Sequence, residues 1–170
     1  MIACMFGHLN VVKILLSEYS RIPNDDMQHS NMNRLNNHVN LELKSFNRTT
    51  NSNIIGGSTA LSIVSNLLHE NLELLELLLF AKASTSQRDV NGNTALHLAC
   101  IANVPEVCEI LLGSGCNPHV RDSSGCQAIH LAARHGSVEC CQVLFNYDVD
   151  MNLKNYNGIN AIGEARMNNQ

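Results

Sequence analysis

The chain has 170 residues, 45% of them apolar and 15% charged, with a formal net charge of −4. That length allows one domain of ordinary size with a hydrophobic core. The absence of a basic tract argues against nucleic acid or an anionic membrane surface as a partner. No apolar run reaches membrane-spanning length: residues 72–83 are too few and include Glu73 and Glu76. The first residues place no charged segment ahead of an apolar core and do not read as a signal peptide. Seven cysteines form an odd set without a C-x-x-C pair. They read as small buried hydrophobes of a reducing compartment, so the expected location is intracellular, cytoplasmic or nuclear.

A short stretch recurs along the chain. Residues 57–65 read GSTALSIVS, residues 92–100 GNTALHLAC and residues 125–133 GCQAIHLAA, and a worn copy, GINAIGEA, begins at Gly158. Anchored on Thr59, Thr94, Gln127 and Asn160, the copies are spaced 35, 33 and 33 residues apart. Self-similarity at a fixed period decides the architecture before any single motif does. Within the clearest copy, Thr94 is placed to N-cap a helix with its hydroxyl. Leu96, Ala99 and Cys100 fall on one helical face. Ala99 and Cys100 are small enough for a neighbouring helix to come close.

A period near 33 with this T-P-L-H-x-A-like core resembles the ankyrin repeat, a β-turn followed by two helices. The resemblance covers most of the chain outside roughly residues 24–55 and is most specific over residues 89–154. It implies an all-α ankyrin-repeat solenoid of helix–turn–helix pairs with short β-hairpin tips. It also implies that His97 and His130 hydrogen-bond the turn of an adjacent repeat, a role that competes with a catalytic or metal-binding reading of either.

Taken in order, residues 1–23 form a partial repeat. Ala3 and Cys4 fit the end of an inner helix, Gly7 the link, and Val11 to Leu16 the apolar face of an outer helix. Because the turn and the start of the first helix are missing, the chain reads as a piece of a longer array. Residues 24–56 are a polar, Asn-rich insertion, expected to be flexible. Val39, Leu41 and Leu43 alternate within it, so a short extended piece or a docking segment is the alternative to a solvated loop. Residues 57–88 are a full repeat whose link near residues 68–70 carries two extra residues. Residues 89–121 are the best copy, with Asn91-Gly92 at the tip. There Asn103 replaces the usual glycine at the inner-helix end, and Pro105 starts the outer helix. Val107, Cys108, Ile110, Leu111 and Leu112 form its stripe. Residues 122–154 repeat the plan, with Gly136 as cap and Cys140, Cys141, Val143, Leu144 and Phe145 as stripe. Residues 155–170 begin another copy at Asn157-Gly158 and stop inside its first helix.

Little in the chain points to catalysis. Cys126, His130 and His135 are possible soft ligands, but their spacing matches no zinc pattern. Cys140-Cys141 beside His130 or His135 could be a thiol and its base, yet both cysteines have places in the repeat. The glycine turns lack the lysine and spacing of a phosphate loop. No enzymatic activity, cofactor or metal is therefore expected.

The expected function is to bind another protein through the hairpin tips and the concave inner-helix side. The residues on that row are Val90, Asn91, Asn93, Ile101, Ala102, Ser123, Ser124, Cys126, Arg134, His135, Tyr156 and Asn157. Arg134 and Tyr156 belong to the types that dominate binding energy, and their loss is expected to weaken a partner without unfolding the chain. The alternative is a targeting or structural arm of a larger enzyme, channel or ubiquitin-ligase adaptor. Leu144, then five residues, then Asp150-Met151-Asn152 resembles the ankyrin pattern modified by an iron-dependent asparaginyl hydroxylase, which makes Asn152 a candidate hydroxylation site.

Overall fold

A computed structural model describes residues 72–80 and 83–168. The partial repeat 1–23, the insertion 24–56 and the first helix and link of the 57–88 repeat lie outside the described residues.

Among the described residues six helices follow one another: α1 (Leu72–Phe80), α2 (Ala95–Ala102), α3 (Pro105–Gly113), α4 (Ala128–His135), α5 (Val138–Asn146) and α6 (Ala161–Met167). Among the described residues there is no strand. The helices are short, seven to nine residues, below the length at which a helix is stable alone. They are held by packing in two layers. The inner helices α2, α4 and α6 stack in sequence, and the outer helices α1, α3 and α5 stack beside them. Each pair, α2 with α3 and α4 with α5, joins the layers. The architecture is an all-α repeat fold.

The helix ends follow from the residues that make them. Thr94 and Gln127 stand at the N-caps of α2 and α4 in extended conformation. Pro105 opens α3, where a missing N–H leaves nothing unpaired. Asn103 closes α2 at φ 54° and Gly136 closes α4 at φ 68°, both left-handed, and each cap N–H reaches back to the helix carbonyls. Asparagine is among the few residues that adopt this conformation readily, which explains why it replaces glycine.

The core lies between the layers and between successive repeats. Leu74, Leu75, Leu96, Ala99, Val107, Leu111, Ile129, Ala132 and Leu144 are buried there. Cys100, Cys108, Cys116, Cys126 and Cys140 are also buried, all as free thiols. The stripe of α5 departs from expectation: Val143 and Leu144 are buried, Cys141 is half-buried and Phe145 is 62% exposed. One period earlier Leu112 is buried, because α5 stacks on α3. No described outer helix stacks on the far side of α5.

Truncating a core residue removes both transfer energy and packing. Leu111→Ala is expected to cost about 2–5 kcal/mol. Phe145→Ala should stay within about 0.5 kcal/mol. Urea denaturation of the two variants checks the contrast, and equal losses would mean that Phe145 is covered in solution.

Candidate functional site

Three loops at one end of the inner layer are built on one plan. The Asp89 carboxylate Oδ1 accepts from the N–H groups of Asn91 at 2.9 Å and Asn93 at 2.8 Å. Asp122 Oδ1 does the same for Ser124 and Cys126, both at 2.8 Å. Asn155 Oδ1 does it for Asn157 and Ile159, both at 3.0 Å. An amide oxygen can replace the carboxylate because the loop asks only for an acceptor. Each loop is also closed by its backbone: Gly92 N–H donates to the Asp89 carbonyl at 3.0 Å, and Asp89 N–H to the Asn93 carbonyl at 2.9 Å. Gly92 takes φ 80° while Asn91 stays at negative φ. The tip is thus a turn followed by a left-handed glycine, without the strand pair that Asn-Gly suggested.

The loops are tied to one another. Ser123 N–H donates to the Asn91 carbonyl at 3.0 Å, and Tyr156 N–H to the Ser124 carbonyl at 3.1 Å. Arg88 Nη1 donates to the Arg121 carbonyl at 2.9 Å, and one period on Arg121 Nη1 donates to the Lys154 carbonyl at 2.9 Å. Sequence reasoning passed over these acidic and arginine positions. Their signal was the Arg-Asp dipeptide recurring 33 residues apart.

The candidate row divides on burial. Val90 and Tyr156 are 67% and 71% exposed, and Asn91, Ser123, Ser124, Asn157 and His135 are also exposed. Ile101 and Ala102 are half-buried. Asn93 and Cys126 are buried, contrary to expectation. The Asn93 amide donates to Asp89 Oδ2 at 3.1 Å, inside its own loop. Cys126 lies behind its loop, where its sulfur accepts from Asn155 Nδ2 at 3.4 Å and Arg134 Nη2 at 3.5 Å. Tyr156 lies flat on the preceding loop: a Cβ on Gly125 would meet its ring at 2.5 Å. It therefore offers one ring face to solvent.

Arg134 is less available than its position suggested. It makes a two-pronged pair with Glu164 on α6, Nε to Oε2 at 2.9 Å and Nη2 to Oε1 at 2.8 Å. Asn155 Nδ2 also donates to Oε1 at 2.8 Å. The Glu164 side chain is 6% exposed and that of Arg134 34%. The guanidinium holds the Glu164 carboxyl below its ordinary range. Breaking one partner of such a pair leaves a buried charge uncompensated.

The two histidines tie repeats together. Thr94 N–H donates to His97 Nδ1 at 3.2 Å, which leaves the other ring nitrogen, Nε2, as the protonated one. Nε2–H then donates to the Cys126 carbonyl of the next loop at 3.3 Å. His130 repeats the pattern, with Gln127 N–H at 3.2 Å on Nδ1 and the Leu153 carbonyl at 2.8 Å from Nε2. The bond accepted at Nδ1 requires the neutral ring. Burial lowers the pKa of each, against the pull of the carbonyl each ring bonds. With both nitrogens of His130 committed and Cys126 turned to Asn155, the set Cys126, His130 and His135 does not converge on a metal. His130 likewise has no nitrogen left to serve Cys140 as a base.

Asn152 is exposed, and its N–H donates to Asp150 Oδ1 at 2.8 Å. Among the described residues no helix is long and apolar enough to cross a membrane.

A 33-residue plan of loop, inner helix and outer helix, with a histidine bonded to the following loop, is a family trait. The model of a family described as ankyrin repeats, in three copies, matches residues 61–155. The chain belongs to the ankyrin-repeat family. No curated protein matches it. Ankyrin repeats are generally protein–protein interaction modules and typically carry no catalysis.

The ankyrin histidines set a pH dependence. Their folded pKa values lie below 6.5, so as pH falls the unfolded chain takes up protons first. The stability they contribute is complete above about pH 6.5 and is lost as pH drops toward their folded values. Glu164, lowered from 4.5, contributes above about pH 4.5 and is lost below it. Thermal melts are expected to fall between pH 7.5 and 5.5. The double variant His97→Gln/His130→Gln should melt lower at pH 7.5 and lose most of that slope. A wild-type midpoint independent of pH over this range would contradict the neutral-ring assignment.

Proposed function

We propose that the ankyrin repeats of this chain stack as a solenoid and bind another protein through the row of loops and the neighbouring inner-helix side. The carrying observation is the exposed row Val90, Asn91, Ser123, Ser124, Tyr156 and Asn157, held in register by loop-to-loop hydrogen bonds. Its backbone is already fixed, so a partner need not order it on binding. Its side chains mix one aromatic face, one aliphatic group and short polar groups, a composition suited to a protein surface. His135, Ile101 and Ala102 border the row, and Asn93 and Cys126 drop out of it because they are buried. The reading assigns no catalysis to this segment, and the free thiols support an intracellular, reducing setting.

Affinity capture with mass spectrometry identifies the partner, and an alanine scan then tests the row. Tyr156→Ala should weaken binding by about 1–3 kcal/mol. Arg134→Ala should instead cost about 2–4 kcal/mol of fold stability by leaving Glu164 buried and unpaired. Binding that survives Tyr156→Ala, Val90→Ala and Asn157→Ala together would move the interface off the row.

We also propose Asn152 as a hydroxylation site, supported by its exposure in the loop after α5. Incubation with an asparaginyl hydroxylase, Fe(II), 2-oxoglutarate and dioxygen should add one oxygen atom to the Asn152 peptide, and an unmodified peptide would exclude the assignment.

A further inference from the structure

Three cysteines far apart in the chain meet in the core. Cys100 comes from α2, Cys108 from α3 and Cys140 from α5, so the cluster spans two successive repeats. Cys108 Sγ lies 3.8 Å from both Cys100 Sγ and Cys140 Sγ, and all three sulfurs fall within 4.8 Å of one another. Each residue is fully buried. Among the described residues this is the one group of three soft or acidic ligand atoms in mutual reach.

A triangle of that size has a useful property. A point equidistant from its corners lies roughly 2.2–2.5 Å from each sulfur, which brackets the metal–thiolate bond of about 2.3 Å. The sulfurs need not move apart to admit an ion between them. Only the thiol protons must leave.

We propose that Cys100, Cys108 and Cys140 form a trigonal, all-sulfur site for a soft monovalent cation, Cu(I), which clamps two adjacent repeats together. Binding exchanges protons and transfers no electron: as each Cu–S bond forms, the S–H bond of that thiol breaks and its proton goes to solvent.

The donor set selects the ion. Thiolates favour Cu(I), zinc and iron–sulfur clusters over harder cations. Structural zinc closes a tetrahedron of four ligands. Among the described residues no fourth Cys, His, Asp or Glu atom joins the three sulfurs, and the oxygens that contact the Cys140 sulfur are neutral amide ones, Asn103 Oδ1 at 3.8 Å and the Ala99 carbonyl at 4.0 Å. An ion content with three sulfurs fits, and Cu(I) is one. Access is short, because Asn103, which touches Cys140, is exposed.

The test uses the full chain, reduced and anaerobic, titrated with Cu(I) in competition with bathocuproine disulfonate. One equivalent should be retained, X-ray absorption should report three sulfurs near 2.3 Å, and the melting temperature should rise. Cys108→Val and Cys140→Val keep volume and apolarity, so they should fold by circular dichroism yet lose the bound equivalent. Cys141→Ser should retain it. The proposal fails if the wild-type chain yields all its copper to the chelator, or if folded Cys108→Val and Cys140→Val keep the same equivalent. If either variant does not fold, the wild-type absorption spectrum decides: fewer than three sulfur neighbours overturns the site. A parallel Zn(II) titration that binds where Cu(I) does not overturns the choice of ion.

Discussion

The stack depends on one interaction made twice: a neutral imidazole that caps its own helix and reaches the next loop. His97 and His130 each accept at Nδ1 from the N-cap N–H and donate from Nε2 to a carbonyl further along the chain, His97 to Cys126 in the next loop and His130 to Leu153 just before the loop of Asn155. A helix of eight residues has little stability of its own, and its first N–H groups need partners. The histidine supplies one and spends its other nitrogen on the neighbour. Local capping and long-range stacking are thereby one event, so a repeat is completed only when the next is in place.

Around this link the loops form a second, parallel tie. The side-chain oxygen of Asp89, Asp122 or Asn155 gathers two backbone N–H groups of its loop, and the arginines of successive repeats bind the carbonyl one period ahead. The outcome is a set of rigid loops whose outward side chains are short or aromatic. Rigidity of this kind favours recognition, since little conformational freedom remains to be lost on binding. Arg134 shows the competing demand. A long cation facing the row is drawn into the fold by the buried Glu164 of the next inner helix.

The cysteines show how packing creates chemistry that spacing does not announce. Cys100 and Cys108 are eight residues apart, and Cys140 follows 32 residues later. Each satisfies a small apolar position by itself. The stack of α5 on α3, with α2 beside them, brings the three sulfurs to contact. Thiols tolerate such burial as small hydrophobes, so the cluster costs the fold little even when empty.

The sequence determined the period, the helix pairs within residues 89–154 and the left-handed caps, and the resemblance to ankyrin repeats implied the histidine links. Each rests on residues close in the chain or repeated at a fixed interval: Pro105 at a helix start, Asn103 and Gly136 in left-handed caps, and His97 and His130 three residues after their N-caps. What lay between repeats was not legible. Asn93 and Cys126 lie two residues after the exposed Asn91 and Ser124, and only the loop's folding onto its own acidic side chain turns them inward. Phe145 shares the pattern of Leu112, but burial depends on which helix stacks against it. Tertiary structure alone also decided the Arg134–Glu164 pair, the seat of Tyr156 on Gly125 and the meeting of Cys100, Cys108 and Cys140. The reason is geometric: helical spacing fixes which residues share a face, and the offset of one repeat on the next fixes what that face touches.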